Sequence, residues 1–76
     1  LAGGVDAVAR KVAEEATEVV MAAKDDAVAE RSGTPRPRAE LAGELADLLY
    51  HVLVLCAERG LEPSAVMATL RSRHAR

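Results

Sequence analysis

The fold is decided by the stretch LAGELADLLYHVLVLC, residues 41–56. Apolar side chains recur there at the three- and four-residue spacing that places them on one face of an α-helix. They are Leu41, Leu45, Leu48, Leu49, Val52, Leu53 and Cys56. This stripe predicts a helix over residues 38–59, and Gly60 follows it where a residue with positive φ commonly ends a helix.

The segments on either side predict two more helices. Helical spacing upstream predicts a helix over residues 5–29, carried by Val5, Val8, Val12, Val19 and Ala23. Residues 31–37 contain one glycine and two prolines, which predict a mobile loop. Pro63 suits the first turn of a third helix over residues 63–73. Since no segment alternates with period two, we expect an all-α fold, a helical hairpin plus a third short helix.

Length and composition exclude several classes of protein. The 76 residues predict one domain, residues 1–76, and because the first residue is Leu1 we expect a natural N-terminal segment to be missing. A chain of net charge −2 whose one aromatic residue is Tyr50 is a poor candidate for binding a nucleic acid polymer. No apolar run approaches the roughly 20 residues of a membrane span. Cys56, the single cysteine, predicts no internal disulfide and a cytoplasmic location.

The apolar residues also predict self-association. They are mostly Ala, Val and Leu, and a chain of this length buries only about 60% of its unfolded surface. We therefore expect a homodimer, in which the long helices of two copies form a helical bundle.

Carboxylates on two of the predicted helices form the candidate site. The first helix carries Glu14, Glu15 and Glu18 within an arc of about 100°. The second carries Glu44 and Asp47, one turn apart. Both acidic faces flank apolar stripes, so packing of the hairpin can bring all five acids into one cleft. Such like charges repel one another, and a Mg²⁺ ion with open coordination positions for phosphate oxygens would offset the repulsion.

Each of these residues also has a structural interpretation. Acids on an exposed helix face are common, so the five carboxylates can be a solvated surface. Lys11 can pair with Glu14 or Glu15, or it can bind phosphate. His51 extends the acidic face of the second helix and is more often a surface or interface residue than a metal ligand. Cys56 is expected in the core, because nothing near it in sequence would activate its thiol.

Two stretches resemble the metal-binding helices of a known family. Residues 11–20, KVAEEATEVV, with the following AAK at 22–24, are similar to the first such helix of the phosphoribosyl-ATP pyrophosphohydrolases. Residues 44–55, ELADLLYHVLVL, with AERGL at 57–61, are similar to the second. This family of histidine biosynthesis belongs with the MazG-like proteins to the all-α nucleotide pyrophosphatases. Their pattern is E-E-x-x-E, then a variable gap, then E-x-x-D. In this sequence the gap spans residues 19–43.

The resemblance implies a reaction and a role for each site residue. It implies hydrolysis of the α–β phosphoanhydride of phosphoribosyl-ATP to phosphoribosyl-AMP and pyrophosphate. The implied Mg²⁺ ligands are Glu14, Glu15, Glu18, Glu44 and Asp47. The implied catalytic residues are Glu15, Glu18 and Lys11, and the implied substrate-binding residues are Lys11 and Lys24.

Two features depart from the family pattern, and two other functions stay open. The family has a further segment before its glycine region, whereas this sequence begins at Leu1, and residues 31–37 form a longer and more proline-rich link. The link can close over the cleft or be a passive insertion. The other functions are a MazG-like pyrophosphatase with a different nucleotide substrate and a non-catalytic helical dimerisation module.

Overall fold

Three helices make up the part of the chain that the structure describes. The structure, a computed structural model, describes residues 3–75, so Leu1, Ala2 and Arg76 of the predicted domain lie outside it. The helices are α1 (Gly4–Ser32), α2 (Arg38–Glu58) and α3 (Pro63–His74). No strand occurs within residues 3–75, which confirms the prediction of an all-α fold with three helices. None of the three helices is long and apolar enough to cross a membrane.

The end of α1 corrects a predicted boundary. The helix continues to Ser32, so ending it at residue 29 and starting the loop at residue 31 was wrong. Gly33, at φ 71°, is the first residue that readily takes the left-handed conformation. Its N–H donates to the Glu30 carbonyl at 3.3 Å, and the Thr34 N–H donates to the Ala29 carbonyl at 3.0 Å. These two bonds form a Schellman motif, which satisfies carbonyls that the helix leaves free at its end.

The end of α2 confirms the role predicted for Gly60. This glycine has φ 64°, and its N–H donates to the Ala57 carbonyl at 3.2 Å. The Leu61 N–H donates to the Cys56 carbonyl at 2.8 Å, which completes a second Schellman motif. Pro63 then begins α3, where its missing N–H costs no helical hydrogen bond.

The helices α1 and α2 form an antiparallel hairpin, and α3 extends from it. Contacts between α1 and α2 dominate the tertiary packing of the described residues. The molecule measures 45 × 37 × 15 Å. Because a helix with its side chains is about 10–12 Å across, the shortest dimension holds little more than one layer of helices. The buried apolar residues are only Val8, Ala29 and Cys56 among those described, and this confirms the core position predicted for Cys56.

A buried carboxylate joins the connecting segment to α1. Asp26 is 6% exposed and receives two hydrogen bonds from Arg36, Nε to Oδ1 at 3.1 Å and Nη2 to Oδ2 at 2.6 Å. Arg38 Nη1 donates to the same Oδ2 at 3.0 Å, and Arg36 Nη1 also reaches Glu30 Oε2 at 3.2 Å. The Arg36 hydrogen bonds, with those of Arg38, hold the pKa of Asp26 below its ordinary value of 3.8. Residues 31–37 were predicted as a mobile loop. Arg36 of this segment is instead bound to α1 through Asp26, close to the start of α2.

Replacing Asp26 with Asn should lower the melting temperature at pH 7 by several degrees, because two arginines lose their shared anion. The pKa of Asp26 is lowered in the folded chain, so its stabilisation is present above pH 3.8 and is lost as the pH falls through the lowered value. Thermal melts of both chains at pH 7 and in acid should therefore converge at low pH. Asp25→Asn, next to it on an exposed position, is the matched control and should change little. A difference between Asp26→Asn and the wild type that does not depend on pH would contradict the ion-pair explanation.

Candidate metal centre

Three carboxylates meet where the middle of α1 packs against the N-terminal half of α2. Glu15 of α1 and Glu44 and Asp47 of α2 each offer one oxygen, and these oxygens lie within 4.8 Å of one another. Glu44 and Asp47 share a face of α2 because residues three apart are neighbours on a helix. The structure thus brings together three of the five predicted metal ligands.

Glu15 is the most deeply placed of these acids and contacts a histidine. It is 7% exposed, and its Oε1 lies 2.7 Å from Nδ1 of His51. The same Nδ1 lies 3.2 Å from the backbone carbonyl oxygen of Asp47, one turn earlier on α2. The rings of His51 and Tyr50 meet edge to face, with centroids 5.0 Å apart. A half-buried His51 therefore connects the two helices beside the carboxylates.

Glu18 adds a fourth carboxylate on the side of Glu44. Partial burial raises the pKa of Glu44 above its ordinary value of 4.5, and the neighbouring Glu18 carboxyl group raises it further. The charges of Glu18, Asp47 and Glu15 act in the same direction. Without a cation, Glu44 therefore retains its proton to a higher pH than an isolated glutamic acid would.

The remaining predicted site residues lie outside this group. Glu14 is exposed, and its Oε1 is 3.9 Å from Nζ of Lys11, with both side chains 54% exposed. This is the i,i+3 pair that the structural interpretation of Lys11 described. Lys24 is exposed on α1, nine residues after Glu15. The structure therefore does not bring Glu14, Lys11 or Lys24 into contact with the three clustered carboxylates.

A groove continues from Glu18 and Glu44 toward the connecting segment. It has a volume of about 200 Å³. Its lining residues are Glu18, Met21, Ala22, Asp25, Glu40 and Glu44. Met21, Ala22 and Asp25 were not predicted as site residues. Their spacing from Glu18, three, four and seven residues, is the signal that they share its face of α1.

The donor set of the cluster suits a hard divalent cation. Carboxylate oxygens are ligands that Mg²⁺ prefers, and opposite ligands in its octahedron are about 4.2 Å apart at bond lengths of 2.1 Å. Oxygens already within 4.8 Å of one another need only small side-chain movements to reach that spacing. A cation would also offset the negative charges that raise the pKa of Glu44. The geometry thus fits Mg²⁺ with few protein ligands and positions left for water or phosphate.

Comparison with known proteins places this site in a family. The sequence model of the phosphoribosyl-ATP pyrophosphohydrolases matches residues 2–74. A phosphoribosyl-ATP pyrophosphatase from a Polaromonas species is 50% identical over 70 residues, which are 92% of this chain and 54% of that protein. The corresponding enzyme of Listeria monocytogenes is 43% identical over 92% of this chain and 57% of its own length. A histidine biosynthesis bifunctional protein HisIE from Halalkalibacterium halodurans is 49% identical over 93% of this chain and 29% of that protein.

The matches cover nearly all of this sequence but only part of each relative. The chain spans about half the length of the Polaromonas and Listeria proteins. No solved structure matches it. Because the family model covers almost the whole sequence and includes every clustered carboxylate, the chain belongs to the phosphoribosyl-ATP pyrophosphohydrolase family.

Proposed function

We propose that the chain hydrolyses the α–β phosphoanhydride of phosphoribosyl-ATP, with Mg²⁺ as cofactor, to give phosphoribosyl-AMP and pyrophosphate. The observation that carries the proposal is the meeting of Glu15, Glu44 and Asp47 across the hairpin, with oxygens within 4.8 Å of one another. The names of the relatives supply the substrate, and the carboxylates supply a site suited to its charge.

The residues that would hold Mg²⁺ are Glu15, Glu44 and Asp47, with Glu18 beside them. When bound, the cation neutralises charge on the phosphate oxygens and lowers the pKa of a coordinated water. Glu14, which faces Lys11, enters the ligand set only if that ion pair opens. We therefore assign metal binding mainly to Glu15, Glu44 and Asp47.

The chain itself would handle the proton and the phosphate charge. In hydrolysis the water oxygen bonds to phosphorus while the bridging P–O bond breaks, and the water proton must pass to a base. Glu18 lies beside the three ligands without belonging to the main ligand set, so its carboxylate is placed to accept that proton. Lys11 and Lys24 lie on the same helix, and exposed ammonium groups can turn toward a polyphosphate. To do so, Lys11 would give up only its exposed 3.9 Å contact with Glu14.

The direct test is pyrophosphate release from phosphoribosyl-ATP, with and without Mg²⁺, compared with release from ordinary dNTPs. We expect Mg²⁺-dependent release from phosphoribosyl-ATP in clear preference to dNTPs. Preference for dNTPs would favour a MazG-like pyrophosphatase. No release from any of these nucleotides would favour the non-catalytic dimerisation module.

Mg²⁺ should raise the melting temperature at neutral pH. The pKa of Glu44 is raised, so ionisation of this carboxyl destabilises the fold as the pH rises through the raised value, and a cation offsets that loss. At a hundredfold excess over Kd the gain is about 2.7 kcal/mol. Thermal melts at pH 5 and pH 8 should show the larger Mg²⁺ effect at pH 8. Melts that Mg²⁺ leaves unchanged at both values, with and without nucleotide, would contradict the clustered site.

Glu15→Gln and Asp47→Asn keep the shape of each side chain but remove a negative ligand. Either change should lower kcat by about a hundredfold or more, since a bound metal supplies several kcal/mol of transition-state stabilisation. Folding should survive, because repulsion among the acids also falls. Steady-state rates and circular dichroism of each variant provide the measurement.

The control for both variants is Glu58→Gln. Glu58 lies on α2, 3.8 Å from Arg59 at the helix end, and takes no part in the carboxylate group. Its replacement should leave activity almost unchanged. Equal damage from Glu58→Gln and Asp47→Asn, or full activity in both site variants, would mean that the acids are a solvated face.

We further propose that the chain is a homodimer. Leu45, Leu49 and Leu53 form one stripe on α2, and Leu49 is 59% exposed. Further exposed apolar residues on α3, among them Val66 and Leu70, line a groove of about 350 Å³. A one-layer molecule leaves these surfaces in water unless a second copy covers them.

Sedimentation equilibrium at micromolar concentration should give about twice the monomer mass of 8.0 kDa. Leu49→Glu should shift the mass toward the monomer and lower the melting temperature, because the stripe would lose its apolar partner. A folded wild-type monomer at that concentration, or an unchanged mass for Leu49→Glu, would argue against this stripe as the interface.

We also propose a cytoplasmic location. Cys56 is free and buried, which suits a reducing compartment.

A further inference from the structure

His51 contacts the proposed metal centre without belonging to the proposed ligand set. Its Nδ1 lies 2.7 Å from Glu15 Oε1 and 3.2 Å from the Asp47 carbonyl oxygen. The His51 side chain is 20% exposed and that of Glu15 is 9% exposed, so water competes little for this contact. The distance is typical of a hydrogen bond between an N–H and a carboxylate.

The two partners of Nδ1 fix where the imidazole carries its hydrogen. A backbone carbonyl oxygen and a carboxylate in its ionised, metal-binding form can only accept hydrogen bonds. Nδ1 must therefore carry hydrogen whether the ring is neutral or charged. His51 is thus a fixed donor toward Glu15, held on α2 by the turn that also supplies Asp47.

We propose that His51 is a positioning residue that orients Glu15 for the cation, an inference that rests on the proposed function. Its Nδ1–H binds one oxygen of the Glu15 carboxylate and restricts rotation of that group. The other oxygen keeps its lone pairs for a metal. Because one ring nitrogen contacts both α1 and the backbone of Asp47, His51 also sets the spacing between ligands on different helices. Such supporting hydrogen bonds commonly change metal affinity by about 10–100-fold.

Two substitutions test whether a hydrogen-bond donor at the position of Nδ1 is required, or only a side chain of similar size. Asn places its amide nitrogen near the position of Nδ1, whereas Gln places its amide nearer the position of Nε2. We expect His51→Asn to keep cation affinity near the wild type and His51→Gln to weaken it by about 10–100-fold. The readout is a Mn²⁺ titration without substrate, followed by the EPR signal of the free ion. Mn²⁺ serves as the probe because carboxylate and water ligands suit Mg²⁺ and Mn²⁺ alike.

Kinetics and controls distinguish positioning from a loss of folding. Excess Mg²⁺ should restore most of the kcat of His51→Gln, since the change weakens binding of the cation. His74→Asn, a matched change on α3, should leave cation affinity unchanged. In a Glu15→Gln background, adding His51→Gln should cause little further loss, because His51 acts through the Glu15 carboxylate.

Each outcome decides between the two proposals. Wild-type affinity in both His51 variants, or equal weakening in both, would overturn the donor role. Additive losses in the double variant would also overturn it. If the predicted affinity pattern appears but the wild type releases no pyrophosphate from phosphoribosyl-ATP, the positioning role stands and the proposed reaction fails. A wild-type chain that binds no Mn²⁺ either with or without nucleotide would overturn both.

Discussion

The repulsion among carboxylates packed between α1 and α2 is the constraint on which the rest of the structure depends. Glu15 is buried, and Glu44, Asp47 and Glu18 lie beside it on two helices. Like charges in a partly dry environment destabilise a fold unless a proton or a cation offsets them. Partial burial and the neighbouring acids raise the pKa of Glu44, which is the direction expected when a proton offsets such repulsion. A divalent cation can take over that role and leaves positions for phosphate oxygens.

Polar contacts between α1 and α2 help to hold these acids in register. The buried apolar residues within positions 3–75 are few and small, and small side chains set the register of two helices weakly. His51 and Glu15 connect α1 to α2 near the middle of α1, and Asp26 with Arg36 and Arg38 connects them near the loop. Two buried carboxylates thus fix the hairpin at two points. The apolar stripe on the outer side of α2 is then left for a second copy in the proposed dimer.

The sequence was sufficient to predict the three helices and to select three acids that the structure places close together. Apolar spacing located α1, α2 and α3. Gly60 ends α2 as predicted, because glycine is the residue that most readily takes the left-handed conformation at a helix end. It was not sufficient for the end of α1, since three polar residues before Gly33 carry no helix-breaking signal. The motif identified Glu15, Glu44 and Asp47. Helical spacing allowed the Lys11–Glu14 pair, but it could not show that Glu14 lies outside the carboxylate cluster, because that depends on how α1 rotates against α2.

The contacts made by Asp26 and His51 were beyond prediction for a related reason. Both are pairings between distant positions, and nothing in the local pattern of charge distinguishes Asp26 from its exposed neighbour Asp25.

The most direct test of the central claim is a crystal structure grown with Mn²⁺, with data collected near its absorption edge. The account predicts an anomalous peak at bonding distance from oxygens of Glu15, Glu44 and Asp47. A peak bound by other residues, or no peak between α1 and α2, would contradict it.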